Sequence, residues 1–141
     1  MKHWMLAEFG LLVAALGCST ERSAPVSGRV TFDGKPLASA HVTFQPLSGG
    51  SADPGGGSYA VTGADGSYSL QLVQGPGAGA VVGKHRVEII MRNENSDVND
   101  QGNKRPKFAV NIPAKYNVSS ELTCVVPAGG KSDANFDLKS K

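Results

Sequence analysis

Aromatic side chains make up only 6% of this 141-residue sequence, and its single tryptophan, Trp4, stands near the start. A surface that stacks sugar rings or bases needs such side chains, so their scarcity weighs against a stacking platform. Two cysteines, Cys18 and Cys124, are too few for a disulfide framework. Three histidines, His3, His41 and His85, lack companions at metal-ligand spacing, so no metal centre is expected on them. Neither sign of charge dominates, with 14 Lys+Arg against 12 Asp+Glu. That balance leaves no basic footprint for nucleic acid and no acidic tail. The apolar run FGLLVAAL at 9–16 has eight residues, enough for a signal-peptide core and too few to span a bilayer. No serine sits in a G-x-S-x-G elbow, and GGSADPGGGS at 49–58 lacks the Lys-Ser/Thr pair of a phosphate loop. No catalytic constellation or cofactor site is therefore expected.

What the sequence does have is 18 glycines and 8 prolines, which favour turns and short strands. Its N-terminus is of another kind. Lys2 and His3 make a weakly positive start, the apolar run follows, and AALGC at 14–18 resembles a bacterial lipobox. There a cysteine already carrying diacylglycerol on its sulfur becomes the first residue after cleavage. Gly17 suits the protease, whereas Glu8 at the edge of the run and Ala15, where leucine is more usual, suit it less. The alternatives are a plain secretion signal, a buried N-terminal helix, or a disulfide between Cys18 and Cys124. On the lipobox reading, 1–17 is a signal peptide, Cys18 is lipidated, 18–25 is a tether and 26–141 is one domain. Cys124 is then the one free thiol, buried as a small hydrophobe on a strand face shared with Leu122 and Val126.

Strand-type alternation recurs along that domain. VSGRVTF at 26–32 places Val26, Val30 and Phe32 on one face and Ser27, Arg29 and Thr31 on the other. Asp33-Gly34-Lys35-Pro36 supplies a turn, Gly34 by accepting positive φ and Pro36 by leaving the ladder without a donor. In the next strand Ala40, Val42 and Phe44 point inward and His41, Thr43 and Gln45 outward. A glycine-rich loop at 47–57 follows. Tyr59 and Val61 begin a short strand, Ala64-Asp65-Gly66 reads as a hairpin turn, and Tyr68, Leu70 and Leu72 share the inner face of the returning strand. A long strand over 81–92 puts His85, Val87, Ile89 and Met91 on one side. The polar stretch NENSDVNDQGNKRPK at 93–107 reads as an exposed excursion. Strands around 108–112, 122–126 and 134–139 complete about seven in all. The expectation is a single antiparallel, all-β sandwich.

The stretches VSGRVTFDGKPLASAHVTFQP, TGADGSYSL, GKHRVEI, IPAKYN and ANFDLK, in this order after a lipobox, resemble the planctomycete-type lipoproteins that carry a carboxypeptidase regulatory-like domain. That domain is a transthyretin-like β-sandwich, and the resemblance spans residues 26–139. His85, where a tyrosine is more usual, and the lengthened loop at 93–107 depart from it. In metallocarboxypeptidases the similar sandwich follows the catalytic domain and has no active site. Related sandwiches serve as stalks, carbohydrate-binding modules and receptor accessories.

The remaining candidates are few. Asp97, Asn99 and Gln101 begin like a calcium loop, with Gly102 at the sixth place. The twelfth place is Phe108, where a bidentate glutamate is needed, so a polar loop is the better reading. Lys35 or Lys115 with Asn135 or Asn111 could form an isopeptide crosslink if the fold buried them together. Tyr116, flanked by Pro113 and Asn117, is expected to anchor a loop through its ring and hydroxyl, as in a tyrosine corner, in preference to stacking a ligand. The expected function is a non-enzymatic, lipid-anchored extracytoplasmic protein with a structural or interaction role in the cell envelope, partnered by the membrane and by an envelope protein or polysaccharide. The alternative is a carbohydrate- or envelope-polymer-binding module that uses loops 47–57 and 93–107, if these meet at one end.

Overall fold

The computed structural model describes residues 23–47, 56–91 and 110–141. The signal segment 1–17, Cys18, most of loop 47–57 and the calcium candidates Asp97, Asn99 and Gln101 lie outside them. Among the described residues eleven strands are formed: β1 (Ser23–Ala24), β2 (Ser27–Phe32), β3 (Lys35–Pro36), β4 (Ala40–Pro46), β5 (Ser58–Val61), β6 (Ser67–Ser69), β7 (Gln71–Leu72), β8 (Ala80–Val81), β9 (Gly83–Met91), β10 (Thr123–Val126) and β11 (Phe136–Leu138). One short 3-10 turn spans Ala114–Tyr116. The molecule is all-β, a sandwich of a five-stranded sheet ordered β10-β9-β4-β5-β7 and a four-stranded sheet in which β2 carries β11, β3 and β6. β1 and β8 make a small third ladder.

The alternation read from the sequence becomes the core. Val42, Phe44, Val87, Ile89 and Val126 of the first sheet and Val30, Leu70 and Leu138 of the second side are all at most 1% exposed. Phe44 of β4 meets Phe136 of β11 edge-on, with ring centroids 6.2 Å apart, so the two inner faces are in direct contact. Each such side chain contributes about 1.5–3 kcal/mol when fully buried.

Four expectations are corrected. Asp65 and Gly66 do form a turn, closed by Gly63 N–H donating to the Ser67 carbonyl at 2.8 Å. The hairpin it closes is only partly kept: β5 pairs antiparallel with β7, Ser58 opposite Leu72 and Tyr59 opposite Gln71, but β6 between them leaves the ladder. β6 pairs with β2 in the second sheet, while β7 returns to the edge of β5 in the first, whose other edge is held by β4, so the returning arm is shared between the two sheets. A turn fixes only the chain reversal; the free edge of β2 decides what β6 pairs with. Secondly, the returning strand expected over 67–72 is split into β6 and β7, and its Leu72 is half-buried opposite the inward Ser58 of β5, whose Tyr59 and Val61 stay at 45% and 48% exposure. Thirdly, β11 runs parallel to β2, Phe136 opposite Val30, against the antiparallel expectation. The chain leaves β10 at one end of the first sheet and enters the second beside the start of β2, which forces the same direction. Lastly, the fold begins before Val26. Ser23 and Ala24 pair with Val81 and Ala80, and Ala24 is 2% exposed, so the last residues of the expected tether belong to the sandwich.

Gly34 and Gly66 sit where the sequence placed them, at φ +82° and +78°. Gly34 turns β2 into β3 in open space, while a Cβ at Gly66 would stand 2.4 Å from the Val30 carbonyl oxygen. Pro36 lies in β3, a two-residue edge strand opposite Thr31, where a missing N–H breaks no ladder.

Candidate functional site

A cleft of about 480 Å³ opens on the outer face of the second sheet. Its walls are the outward positions of β2 (Ser27, Arg29, Thr31), β6 (Ser67) and β11 with its approach (Asn135, Asp137). These residues come together because β2 is flanked by β6 on one edge and by the C-terminal strand on the other. The alternation of β2 put Arg29 and Thr31 on the outer face; only the pairing shows what stands beside them.

The cleft is a network of contacts between strands. Thr31 Oγ1 donates to Asp137 Oδ1 at 2.6 Å, and the Arg29 N–H donates to Asn135 Oδ1 at 2.9 Å, each joining groups 106 residues apart. The Ser67 hydroxyl and N–H both donate to Asp65 Oδ1, at 2.6 and 3.1 Å, and hold that carboxyl below the usual aspartate range. Arg29 adds an ion pair to Asp65 at 3.8 Å. Both side chains are well exposed, so that pair contributes little. Under the cleft, Tyr68 is buried and its hydroxyl donates to the Ala134 carbonyl at 2.5 Å. Burial pushes its pKa up, which keeps the phenol protonated.

A second polar group lies in the core. His85 on β9 is directly opposite Cys124 on β10, and both face inward. Desolvation lowers the His85 pKa and raises that of Cys124, so both are held neutral. His85 Nδ1 is 3.3 Å from the Gly83 carbonyl, its ring lies 5.6 Å from that of Phe44, and Nε2 has no hydrogen-bond partner among the described residues. Among those residues, no group of three or more His, Cys, Asp or Glu could hold a metal ion. His41 is half-buried on β4, between Val61 and Ile90 in register.

Tyr116 lies in the 3-10 turn, where its hydroxyl accepts from Lys139 N–H at 3.1 Å just after β11. Its ring packs against the core and carries Lys115 Nζ 5.1 Å from its centroid. The side chain thus ties the 114–116 turn to the C-terminal segment. Lys35, Lys115, Asn111 and Asn135 are all exposed, so the buried setting that an isopeptide bond requires is not formed around them. Thr62, which the sequence reading passed over, and Asn117, read only as a flank of Tyr116, hold loops in place. Thr62 Oγ1 accepts from Ala40 N–H at 2.9 Å and donates to the Leu37 carbonyl at 2.5 Å. Asn117 Nδ2 reaches the Ile112 and Pro113 carbonyls, both at 3.3 Å.

The roots of the two expected binding loops lie at opposite ends of the first sheet. β4 runs from Ala40, opposite Met91, to Pro46, opposite His85. The 93–107 stretch follows Met91 and the 47–57 loop follows Pro46, so six strand steps, about 20 Å, separate their origins.

No family model matches this chain, and no curated protein matches it. Among solved structures, a DUF3823 family protein from Parabacteroides merdae is similar over 84% of this chain, with 16% identity and a TM-score of 0.41. The chain spans 47% of that protein, about half its length.

Proposed function

We propose that this protein is a lipid-anchored, non-enzymatic β-sandwich of the bacterial cell envelope, of the type found in planctomycete lipoproteins with a carboxypeptidase regulatory-like domain. Its role is structural or one of interaction with an envelope protein or polysaccharide. The observation that carries the reading is how the cleft uses its polar side chains. Thr31, Asp137, Asn135, Ser67 and Asp65 are engaged with neighbouring strands and turns, as in a surface that stiffens a sandwich. The lipobox-like AALGC at 14–18 supports the anchor and the extracytoplasmic location.

Intact mass and a thiol count test it together. The mature chain is expected to begin at a diacylglyceryl Cys18 and, once unfolded, to expose one thiol, that of Cys124. Cys18→Ala should move the protein out of the membrane fraction without changing its thermal unfolding. Two free thiols, or unchanged partitioning of C18A, would contradict the anchor. A second reading, an envelope-polymer-binding module, is favoured by the cleft rather than by a site shared between the two loops, whose roots are far apart. Calorimetric titration with soluble envelope glycans, repeated on Arg29→Ala, separates the two readings; heat that R29A abolishes supports the binding module.

A further inference from the structure

We infer that the end of the sandwich carrying Ser23, Leu47 and Val73 lies against the lipid surface, with the Asp33–Pro36 end pointing away from it. This rests on the anchor at Cys18 proposed above and adds the side on which the domain sits. Because β1 is built into the fold, only residues 19–22 separate Cys18 from Ser23. Fully extended, that segment and its flanking bonds reach at most about 18 Å. β1 cannot readily peel away to lengthen it. Ala24 is 2% exposed, Lys131 N–H donates to the Pro25 carbonyl at 2.8 Å, and Ser27 N–H donates to the Lys131 carbonyl at 2.9 Å. β9 alone has nine residues, about 30 Å of strand, so the far end of the domain is beyond the reach of the tether.

The two ends differ in how much charge they carry. Ser23 shares a small pocket with Gly57, Leu72 and Gln74, which puts the start of the domain beside the 73–79 turn. Leu47 and Val73 at that end are 42% and 59% exposed. Among the described residues of the segments there (23–25, 45–47, 56–58, 72–84 and 126–133), the charged side chains are Lys84 and the ion pair of Lys131 with Asp133 at 3.0 Å, a net positive set. The opposite end carries Asp33, Lys35, Asp65, Lys139 and Lys141, all exposed and strongly hydrated. An end with exposed apolar side chains and few charges, net positive, held within a short tether of the anchor, fits a lipid surface; the more charged end fits water.

Lipid-borne quenching of introduced tryptophans tests this on the full chain, purified with its anchor and reconstituted into vesicles of phosphatidylethanolamine and phosphatidylglycerol containing brominated lipid. Trp4 is the single natural tryptophan and lies in the segment removed on processing, so each variant carries one reporter. Val73→Trp is expected to be quenched several-fold more strongly than Lys35→Trp. Leu47→Trp and Lys139→Trp repeat the comparison should either first variant unfold. Equal quenching at the two ends, or stronger quenching of K35W, in a chain whose mass shows the lipid at Cys18 overturns the seating and leaves the anchor standing. A chain without that lipid overturns both.

Discussion

Tyr68 and Ala134, 66 residues apart, are joined by a 2.5 Å hydrogen bond from the phenolic hydroxyl to the backbone carbonyl. Both residues are buried, and the bond ties β6 to the segment that leads into β11. Tyr68→Phe keeps the ring and orphans a buried carbonyl, which costs about 1–3 kcal/mol. Urea unfolding should show a lower midpoint at unchanged slope; a variant within ~0.5 kcal/mol of the parent would contradict this account.

Thr62 satisfies two backbone groups at once, the Ala40 N–H and the Leu37 carbonyl. Thr62→Val matches the shape and strands both, for a loss of about 2–4 kcal/mol, whereas Thr62→Ser keeps the hydroxyl and loses a methyl group. Stability should therefore fall in the order parent, T62S, T62V. The reverse order of the two variants would mean that packing, rather than hydrogen bonding, is what Thr62 contributes.

Gly34 and Gly66 share a left-handed backbone and differ in their surroundings. Gly34→Ala meets nothing within 4 Å and should cost only the conformational penalty, about 1–2 kcal/mol. Gly66→Ala adds a Cβ 2.4 Å from the Val30 carbonyl oxygen and should cost a further ~1–3 kcal/mol as β6 is pushed off β2. Thermal unfolding of the pair decides it: equal losses would sink the claim that β6 docks this closely.

His85 makes stability depend on pH. Its pKa is lowered by burial from 6.5, so the unfolded chain takes up a proton before the folded one does. The contribution is complete above pH 6.5 and is lost progressively as pH falls below that value toward the depressed folded pKa. His85→Leu should flatten the stability profile across this window. A wild-type profile with no slope there, once the carboxylates are accounted for, would show that the imidazole is solvated in the folded protein.

Reading along the chain recovered which residues face inward, but not always which strands they meet. Val42 and Phe44, and Val87 and Ile89, alternate with polar neighbours, Cys124 and Val126 alternate with Thr123 and the exposed Val125, and all six are buried. At β5 the alternation assigned no inner face, and the structure turns the small residues Ser58 and Ala60 to the core. Thr62 was passed over because a threonine beside glycine looks like turn material until its two partners, 22 and 25 residues away, come into place.

By itself the sequence determined the strand-rich class, the inner faces, the turns at Gly34 and Gly66 and the place of Tyr116 in a turn. Each depends on local periodicity or on the backbone freedom of one residue. The tertiary structure alone decided that the returning arm of the hairpin lends β6 to β2 before β7 rejoins β5, that β11 runs parallel to β2, and that Arg29, Thr31, Asn135 and Asp137 line one cleft. It also drew Ser23 and Ala24 into the fold and placed the roots of the two long loops at opposite ends. Pairing depends on which free edge a strand meets once the core has formed, and short-range alternation carries no record of that.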